Sequence, residues 1–182
     1  MSSPDLLAPV LRRIAAAPTN SVVLIDGPSG AGKSTLADAV RRDWPTTRAP
    51  SLVRLDDIYP GWQGLQAAIT HLRTQVLVPR SLGLPAAWQR FDWATEQPAE
   101  WTSVDRDRPL IVEGCGSLFA GAEALSDVRV WLDADDALRK HRALTRDGEL
   151  FRAHWDQWQS DWAEYCLREV PQSRATIRLK AR

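Results

Sequence analysis

The chain has 182 residues and a mass of 20.3 kDa, which is the size of one ordinary domain. Its 23 basic and 23 acidic side chains cancel, and this balance argues against a nucleic-acid partner, since nucleic acid is bound mainly through excess positive charge. No apolar run approaches the roughly 20 residues that cross a bilayer, so we expect no membrane association. The two cysteines lack metal-ligand spacing, which excludes a disulfide scaffold and a zinc site.

The first 18 residues carry Asp5 early and two arginines after the apolar stretch, which is the wrong order for a secretion signal. We therefore expect a cytoplasmic protein. Within this segment, about residues 4–17, apolar side chains recur at the spacing of an amphipathic helix. The sequence contains neither an internal repeat nor a convincing linker, so residues 1–182 are predicted to form a single domain.

Short apolar runs then alternate with helical patterns along the rest of the chain. The predicted strands lie at 21–26, 51–55, 110–113, 128–133 and, more weakly, 175–179. The predicted helices lie at 33–42, 65–78, 135–145 and 149–168. This alternation predicts an α/β protein whose parallel sheet is covered by helices on both faces. Ligands of such sheets bind beyond the carboxyl ends of the strands.

A glycine-rich loop follows the first predicted strand. Its residues are Gly27, Pro28, Ser29, Gly30, Ala31, Gly32, Lys33 and Ser34, which match G-x-x-x-x-G-K-[ST] between a strand and a helix. The backbone N–H groups of such a loop and the positive end of the following helix attract phosphate oxygens. In this pattern Lys33 reaches the outer phosphates of a nucleotide, Ser34 ligates Mg²⁺ and Thr35 touches the α-phosphate. The alternative is a plain glycine-rich turn before a helix.

Acidic residues stand at the carboxyl ends of the second and third predicted strands. Asp56 and Asp57 follow the strand at 51–55, and Glu113 ends the strand at 110–113. One carboxylate in this position can take the proton of an attacking hydroxyl, while another helps to hold Mg²⁺ or its waters. Each could instead be an ordinary solvated loop acid. The neighbouring Cys115 is expected to be a small buried residue, with a reactive thiol as the alternative.

Arginines recur at three- and four-residue steps after the fourth predicted strand, at Arg139, Arg142 and Arg146. Such a row can neutralise the charge of a transferred phosphoryl group, although an arginine row also suits a solvated helix face. Asp147-Gly148 then predicts a turn, at which a mobile lid of about residues 139–148 could end. The basic residues of the last fifteen positions could form a solvated tail or contact the nucleotide.

Nine tryptophans are many for this length. Four fall between the second and third predicted strands, where they could line a pocket for an acceptor or pack as local hydrophobic core. These four are Trp62, Trp88, Trp93 and Trp101. A second aromatic set recurs at helical spacing near the carboxyl end and is expected to be core, with dimerisation through it left open. Its members are Phe151, Trp155, Trp158, Trp162 and Tyr165.

Together these residues resemble the P-loop kinases of the uridine kinase, phosphoribulokinase and nicotinamide riboside kinase group. The resemblance rests on IDGPSGAGKSTLA at 25–37, Asp56-Asp57-Ile58-Tyr59, Phe91-Asp92-Trp93, Val112-Glu113-Gly114 and WLDADDALRKHRALTRDG at 131–148. It implies a three-layer P-loop NTPase fold, with five parallel strands in the order 2-3-1-4-5 between helices. It also implies ATP and Mg²⁺ as co-substrates and phosphorylation of a hydroxyl on a nucleoside-like or sugar-like small molecule.

The resemblance also assigns roles to single residues. Asp56 matches the acid that activates the acceptor, Glu113 matches the carboxylate near magnesium, and Arg142 and Arg146 fall within the lid. The acceptor segment, about residues 56–101, is expected to bind the acceptor through Asp57, Tyr59, Arg90, Asp92 and Trp93. In that segment uridine kinases have Tyr-Asp-Phe-x-Thr-His-Ser-Arg where this chain has FDWATEQP at 91–98, so the pattern for pyrimidine nucleosides is missing.

Two other functions fit part of the sequence. A nucleoside monophosphate kinase needs cations for its acceptor phosphate, and Arg54, Arg80 and Arg90 could supply them. A nucleotide-dependent switch would bind a partner and need no acceptor. A GTPase of that class would show Asn-Lys-x-Asp for guanine, but Asn20 is the only asparagine in the chain and precedes the loop.

Overall fold

A computed structural model describes residues 4–182, apart from the side chains of Pro4 and Asp147. The strands are β1 (Val22–Asp26), β2 (Ser51–Arg54), β3 (Ala86–Asp92), β4 (Gln97–Val104), β5 (Leu110–Glu113), β6 (Val128–Ala134) and β7 (Ile177–Ala181). Five of them form one parallel sheet in the order β2-β5-β1-β6-β7. Numbered among themselves, these strands have the order 2-3-1-4-5, so the predicted topology is confirmed.

The helices cover both faces of this sheet. They are α1 (Pro4–Ala15), α2 (Lys33–Arg42), α3 (Leu65–His71), α4 (Val78–Ser81), α5 (Asp136–Glu169) and α6 (Pro171–Arg174). A π-helical stretch, Leu72–Leu77, joins α3 to α4, so the predicted helix at 65–78 is confirmed and extends slightly further. Within residues 4–182, no helix combines the length and the apolar character that a bilayer crossing requires.

The central strand β1 shows why the protein has three layers. Successive strand residues point to opposite faces, and all five residues of β1 are buried. Val23 and Ile25 pack in the cluster that holds the apolar residues of α1 and α2. Val22 and Leu24 pack in the other cluster, with the apolar residues of α3 and α5. An unbroken apolar strand therefore serves two helical layers.

The aromatic set of α5 lies inside the second cluster, as expected from its helical spacing. All five side chains, Phe151, Trp155, Trp158, Trp162 and Tyr165, are at least 92% buried. Because they pack against the chain's own sheet and α3, they do not form an open face on the surface. Dimerisation stays a prediction.

The long helix α5 is interrupted once. Gly148 has φ 66° and ψ −149°, which is not a helical conformation, and it divides the segment into the two helices that the sequence predicts. The first part follows β6 and the second part carries the buried aromatic set. The break falls where the turn at Asp147-Gly148 is predicted.

The antiparallel hairpin β3–β4 was not predicted. It lies outside the parallel sheet, in the long connection between β2 and β5. Most side chains of β4 are exposed, so the strand lacks the alternation of apolar and polar residues that reveals a half-buried strand. The turn between the two strands contains Glu96 with φ 54°, a left-handed conformation that glycine or asparagine more often signals.

Candidate active site

The glycine-rich loop joins the end of β1 to the first residue of α2, as the sequence predicts. A Cβ on Gly27 would lie 1.9 Å from the carbonyl oxygen of Leu132, and one on Gly30 would lie 2.0 Å from that of Arg139. Only glycine fits at these two positions. In the part of the chain that the structure describes, no side chain caps the amino end of α2, which leaves its first N–H groups for an anion.

Lys33 turns its ammonium group back into this loop. Its side chain is buried, and Nζ donates to the carbonyl oxygen of Pro28 at 3.0 Å and to Sγ of Cys115 at 3.4 Å. Burial lowers the pKa of Lys33, but the attraction of Cys115, Glu113 and other acids outweighs it and leaves the pKa above its ordinary value. The loop therefore holds a positive charge where phosphate oxygens would bind. Cys115 is buried as expected.

Asp26, the last residue of β1, holds the glycine-rich loop in place through its carboxylate. This residue is not singled out by the sequence analysis. Its carboxylate accepts hydrogen bonds from the backbone N–H groups of Gly27, Gly116 and Leu118 and from the Tyr165 hydroxyl, at 2.6–3.0 Å. Burial raises the pKa of Asp26, while the hydrogen bonds from Tyr165, Leu118 and Gly27 oppose that shift. An acid that closes an apolar strand directly before the glycines was the available signal. Asp26 joins the loop to α5 and to the turn after β5.

Glu113 stands at the end of β5, beside the start of α2. Its carboxylate is buried and accepts a hydrogen bond from Arg54 at 3.1 Å, and Ser34 also bonds to it. Burial and the repulsion of Asp56 raise the pKa of Glu113, against the opposing attraction of Lys33. A hydroxyl and a carboxylate side by side are the hard oxygen ligands that Mg²⁺ prefers. This donor set therefore fits the magnesium site that the sequence predicts.

The loop and the carboxylates enclose a cleft of about 270 Å³, which we call the loop cleft. Besides Lys33 and the glycines, it brings together most of the residues predicted for the nucleotide and for catalysis. These are Ser34, Thr35, Asp56, Glu113, Arg142 and Arg146. Residues from four separate segments thus meet at the carboxyl ends of β1, β2 and β5, as expected for a parallel sheet.

The three arginines of the predicted row in α5, Arg139, Arg142 and Arg146, do not share one position. Arg142 and Arg146 line the loop cleft, and Nη2 of Arg146 lies 3.9 Å from a carboxylate oxygen of Asp56. Arg139 instead pairs with Asp136 and donates to Gln159, and its side chain is only 13% exposed. Arg139 therefore belongs to the packing of α5, while the other two face the candidate site.

A second cavity of about 310 Å³ adjoins the loop cleft, and we call it the aromatic pocket. Its walls are Tyr59, Trp62, Trp93, Phe151 and Trp158. Two of the four tryptophans between the second and third strands of the sheet therefore line a cavity, as one interpretation of the sequence predicts. The cavity also contacts Ser29, Asp56 and Arg146, which the loop cleft shares.

The other two tryptophans of that segment lie elsewhere. Trp101 is 54% exposed and packs on His71, with ring centroids 5.5 Å apart. Trp88 is partly buried against the core cluster of α3 and α5. For these two residues the alternative of local packing is the better description.

Hydrogen bonds tie the pocket walls to the loop cleft. The indole N–H of Trp158 donates to Oγ of Ser29 at 2.8 Å, so this residue is more than the core residue that the sequence predicts. The indole N–H of Trp93 donates to the backbone oxygen of Asp56 at 2.9 Å. The Tyr59 hydroxyl donates to the backbone oxygen of Cys115 at 2.8 Å. These bonds connect the aromatic side chains of the pocket to segments that line the loop cleft.

Three residues expected to bind the acceptor lie outside the pocket lining. Arg90 pairs with Glu100 at 2.6 Å and lies 3.8 Å from Asp92, which places both on the surface of the hairpin. Asp92 also accepts from the backbone N–H of Ala94, as in a local turn. Asp57 lines neither cavity, and its pKa is raised by partial burial and by Asp56. Arg90 and Asp92 thus form local ion pairs on the hairpin, and their role in acceptor binding stays a prediction.

The cations expected for an acceptor phosphate are also scattered. The buried Arg80 donates to the backbone oxygens of Asn20, Asp105 and Arg108, so it ties loops together at the far end of the sheet. Arg54 pairs with Asp38 and Glu113. With Arg90 on the hairpin, these three arginines do not converge on one site.

A third cavity, of about 610 Å³, opens from the other side of the loop cleft. It shares Gly32, Thr35 and Arg142 with that cleft, and its further lining includes Lys180 and Arg182 at the end of the chain. This places the basic carboxyl-terminal residues beside the glycine-rich loop, as one of the two interpretations of that tail predicts. The cavity has room for a nucleoside next to the loop.

Solved structures resemble the chain over nearly its whole length. One is described as a possible uridine kinase from Bacillus stearothermophilus, with a TM-score of 0.69, 17% identity, and coverage of 96% of this chain and 97% of that chain. Another, a "putative fructose transport system kinase" from Silicibacter sp. TM1040, has a TM-score of 0.53, 19% identity and full coverage of both chains. No model of a protein family matches the sequence, and no curated protein matches it. The chain therefore has the three-layer α/β P-loop fold that its motifs predict.

Proposed function

We propose that the protein is a kinase that transfers the γ-phosphoryl group of ATP to a hydroxyl of a small molecule, with Mg²⁺. One observation carries the proposal: the loop cleft and the aromatic pocket share Ser29, Asp56 and Arg146. A triphosphate on the loop and an acceptor in the pocket would therefore meet at Asp56. The names of the two structural neighbours, both described as kinases, agree with this interpretation.

The nucleotide side is supported by the loop. Its backbone N–H groups and the buried ammonium of Lys33 would hold the phosphates. Ser34 and Glu113 would hold Mg²⁺. When bound, this ion neutralises charge on the β- and γ-phosphate oxygens. The cavity that opens beside Gly32 towards the end of the chain would receive the nucleoside.

On the acceptor side, Asp56 is the group that would take the proton of the hydroxyl. A bond forms between the acceptor oxygen and the γ-phosphorus, the bond from that phosphorus to the β–γ bridging oxygen breaks, and ADP leaves. Arg142 and Arg146 would stabilise the negative charge in transfer. Because phosphoryl transfer depends on positioning and electrostatics, a preformed junction of the two cavities is what this reaction needs.

The two alternatives have weaker support. A nucleoside monophosphate kinase requires clustered cations for the acceptor phosphate, but Arg54, Arg80 and Arg90 are engaged at separate places. A nucleotide-dependent switch has no use for an aromatic pocket that opens onto Asp56. The switch predicts nucleotide-dependent binding of a partner and no acceptor-dependent release of ADP.

The test is acceptor-dependent ADP release from Mg-ATP by the wild type and by Asp56→Asn, Lys33→Ala and the control Asp161→Asn on the surface of α5. We expect Asp56→Asn to lose at least about 10²-fold in turnover while it still binds Mg-ATP. Lys33→Ala should lose turnover and nucleotide affinity together. Asp161→Asn should match the wild type. Turnover by Asp56→Asn close to that of the wild type would refute the assigned role.

A further inference from the structure

The aromatic pocket has walls whose polar groups mostly bond to the chain itself, whereas a sugar site needs polar groups that bind the ligand's hydroxyls. We propose that the acceptor is an alcohol whose body is a flat aromatic group, and not a free sugar or a polyol. The inference rests on the proposed kinase function for the position of the reacting hydroxyl, beside Asp56. It rests on the pocket itself for the nature of the rest of the molecule.

Aromatic rings surround most of the cavity. Tyr59 and Trp158 are buried in a T-shaped pair with centroids 5.0 Å apart. Trp62 stacks on Phe151 at 5.2 Å and lies 5.0 Å from Trp93 in a tilted arrangement. The walls thus offer ring faces and ring edges that a flat aromatic molecule can contact in stacked or edge-on geometry. A volume of about 310 Å³ suits a small ligand.

Most of the polar groups on these rings already form hydrogen bonds within the chain. Tyr59, Trp93 and Trp158 each donate their O–H or N–H to an atom of the chain itself. Among the residues that the structure describes, no hydrogen-bond partner is found for the indole N–H of Trp62, which is the aromatic donor that an acceptor could use. The walls therefore recognise shape and aromatic surface more than hydroxyl groups.

The polar side chains of the pocket gather at one end. Ser29, Asp56 and Arg146 lie where the pocket joins the loop cleft. The rest of the lining consists of the aromatic side chains and the exposed Leu150, which adds apolar surface. This distribution fits a molecule with one hydroxyl at one end and an apolar ring at the other.

Free sugars and nucleosides have the opposite distribution of polar groups. A hexose carries hydroxyls around its whole ring, and a nucleoside adds carbonyl and N–H groups on the base. Each polar group that loses water against an indole ring without a new partner weakens binding. An aryl alcohol loses water mainly from apolar carbon, which favours binding. The pocket therefore selects for the aryl alcohol.

Binding is tested first, apart from catalysis, with the full chain and Mg²⁺ plus a non-hydrolysable ATP analogue. The probes are 2-naphthalenemethanol, uridine and fructose. The binding of each probe is measured by tryptophan fluorescence and by the shifts of the indole N–H signals in NMR. We expect 2-naphthalenemethanol to bind at least tenfold more tightly than either of the others. Tighter binding of uridine or fructose would overturn the proposal.

Variants locate the bound probe. Trp62→Leu keeps an apolar side chain but removes the ring, and we expect a rise of at least tenfold in Kd for 2-naphthalenemethanol. Trp62→Phe should recover most of the affinity, which a merely unfolded variant cannot do. Trp101→Leu, outside the pocket, should leave the Kd unchanged. Equal binding by Trp62→Leu and the wild type would overturn the proposal, because the probe would then bind elsewhere.

A final measurement separates this inference from the proposed function. ADP release is followed with ATP and a series of aryl alcohols that bind in the pocket. Phosphorylation of a member of the series supports both proposals. If Trp62-dependent binding occurs but no member of the series is phosphorylated, the kinase function fails while the assigned chemistry of the pocket stands.

Discussion

Replacing Gly30 by alanine should disturb the glycine-rich loop through a contact that the structure defines. The residue has φ +80°, and a Cβ would lie 2.0 Å from the carbonyl oxygen of Arg139 in α5. Ordinary carbon–oxygen contact begins near 3.5 Å, so the loop and the first part of α5 must separate by about 1.5 Å. The backbone fixes the position of the Cβ, and its partner is a backbone oxygen, so no side-chain rotation can relieve this contact.

Gly61 supplies a matched control. It also has φ +80°, but a Cβ there meets nothing within 4 Å. For Gly61→Ala the strain of a left-handed conformation, about 1–2 kcal/mol, is partly offset by the lower entropy of the unfolded chain, so we expect a loss of about 1 kcal/mol or less. Gly30→Ala adds an overpacking cost of about 1–3 kcal/mol. We expect it to lose about 2–4 kcal/mol of unfolding free energy.

Urea denaturation of both variants measures this difference, and thermal unfolding should show a Tm lower by about 5–15 °C for Gly30→Ala. Titration calorimetry should also show at least a tenfold weaker affinity for Mg-ATP, because the first part of α5 carries Arg142 and Arg146 into the cleft. Gly61→Ala should bind Mg-ATP like the wild type. If the two variants are equally stable, the close approach of the loop to α5 is refuted.

Three further predictions concern buried or partly buried groups. Because burial raises the pKa of Glu113, its carboxylate is protonated at a higher pH than that of an exposed glutamate, so calorimetric affinity for Mg-ATP should fall as the pH is lowered. Glu113→Gln should flatten that profile, and an unchanged profile would argue against a metal ligand. Tyr165→Phe removes a hydrogen bond of 2.6 Å to the buried carboxylate of Asp26 and should cost about 1.5–3 kcal/mol in urea denaturation. A loss below about 0.5 kcal/mol would contradict the anchoring role. Burial raises the pKa of Cys166 to about 12, so its alkylation by iodoacetamide at pH 8 should be about 10³-fold slower than that of a free thiol and should rise with pH, as peptide mass spectrometry can follow. Rapid labelling at pH 8 would contradict that shift.

The sheet and the glycine-rich loop could be predicted because their signals are local. A run such as Val22–Asp26 is apolar on both faces, and few structures except a central parallel strand use such a run before a glycine-rich turn. The loop pattern fixes Lys33 and Ser34 by chemistry that needs no partner elsewhere in the chain. The carboxyl ends of parallel strands then bring Asp56 and Glu113 to the same edge.

The acceptor side could be predicted only in part, because its contacts join residues that are distant in sequence. Trp158 has the helical spacing of a core residue, and nothing in that spacing reveals a hydrogen bond to Ser29, 129 positions earlier. Arg90 and Asp92 sit in a segment that resembles an acceptor motif. Arg90 pairs with Asp92 and with Glu100 on the hairpin, and its pairing with Glu100 depends on the register of two strands, which the sequence leaves open.

The bond between Trp158 and Ser29 constrains any redesign of the acceptor specificity. Trp158 is the side chain that a protein engineer would shorten first to admit a bulkier molecule. However, its indole N–H also donates to Ser29, the third residue of the glycine-rich loop. Shortening Trp158 would therefore weaken nucleotide binding as well as enlarge the aromatic pocket. Space is better gained at Leu150, which is 63% exposed. Variants that keep Trp158 and change residue 150 should therefore accept different acceptor molecules while they keep the affinity for ATP.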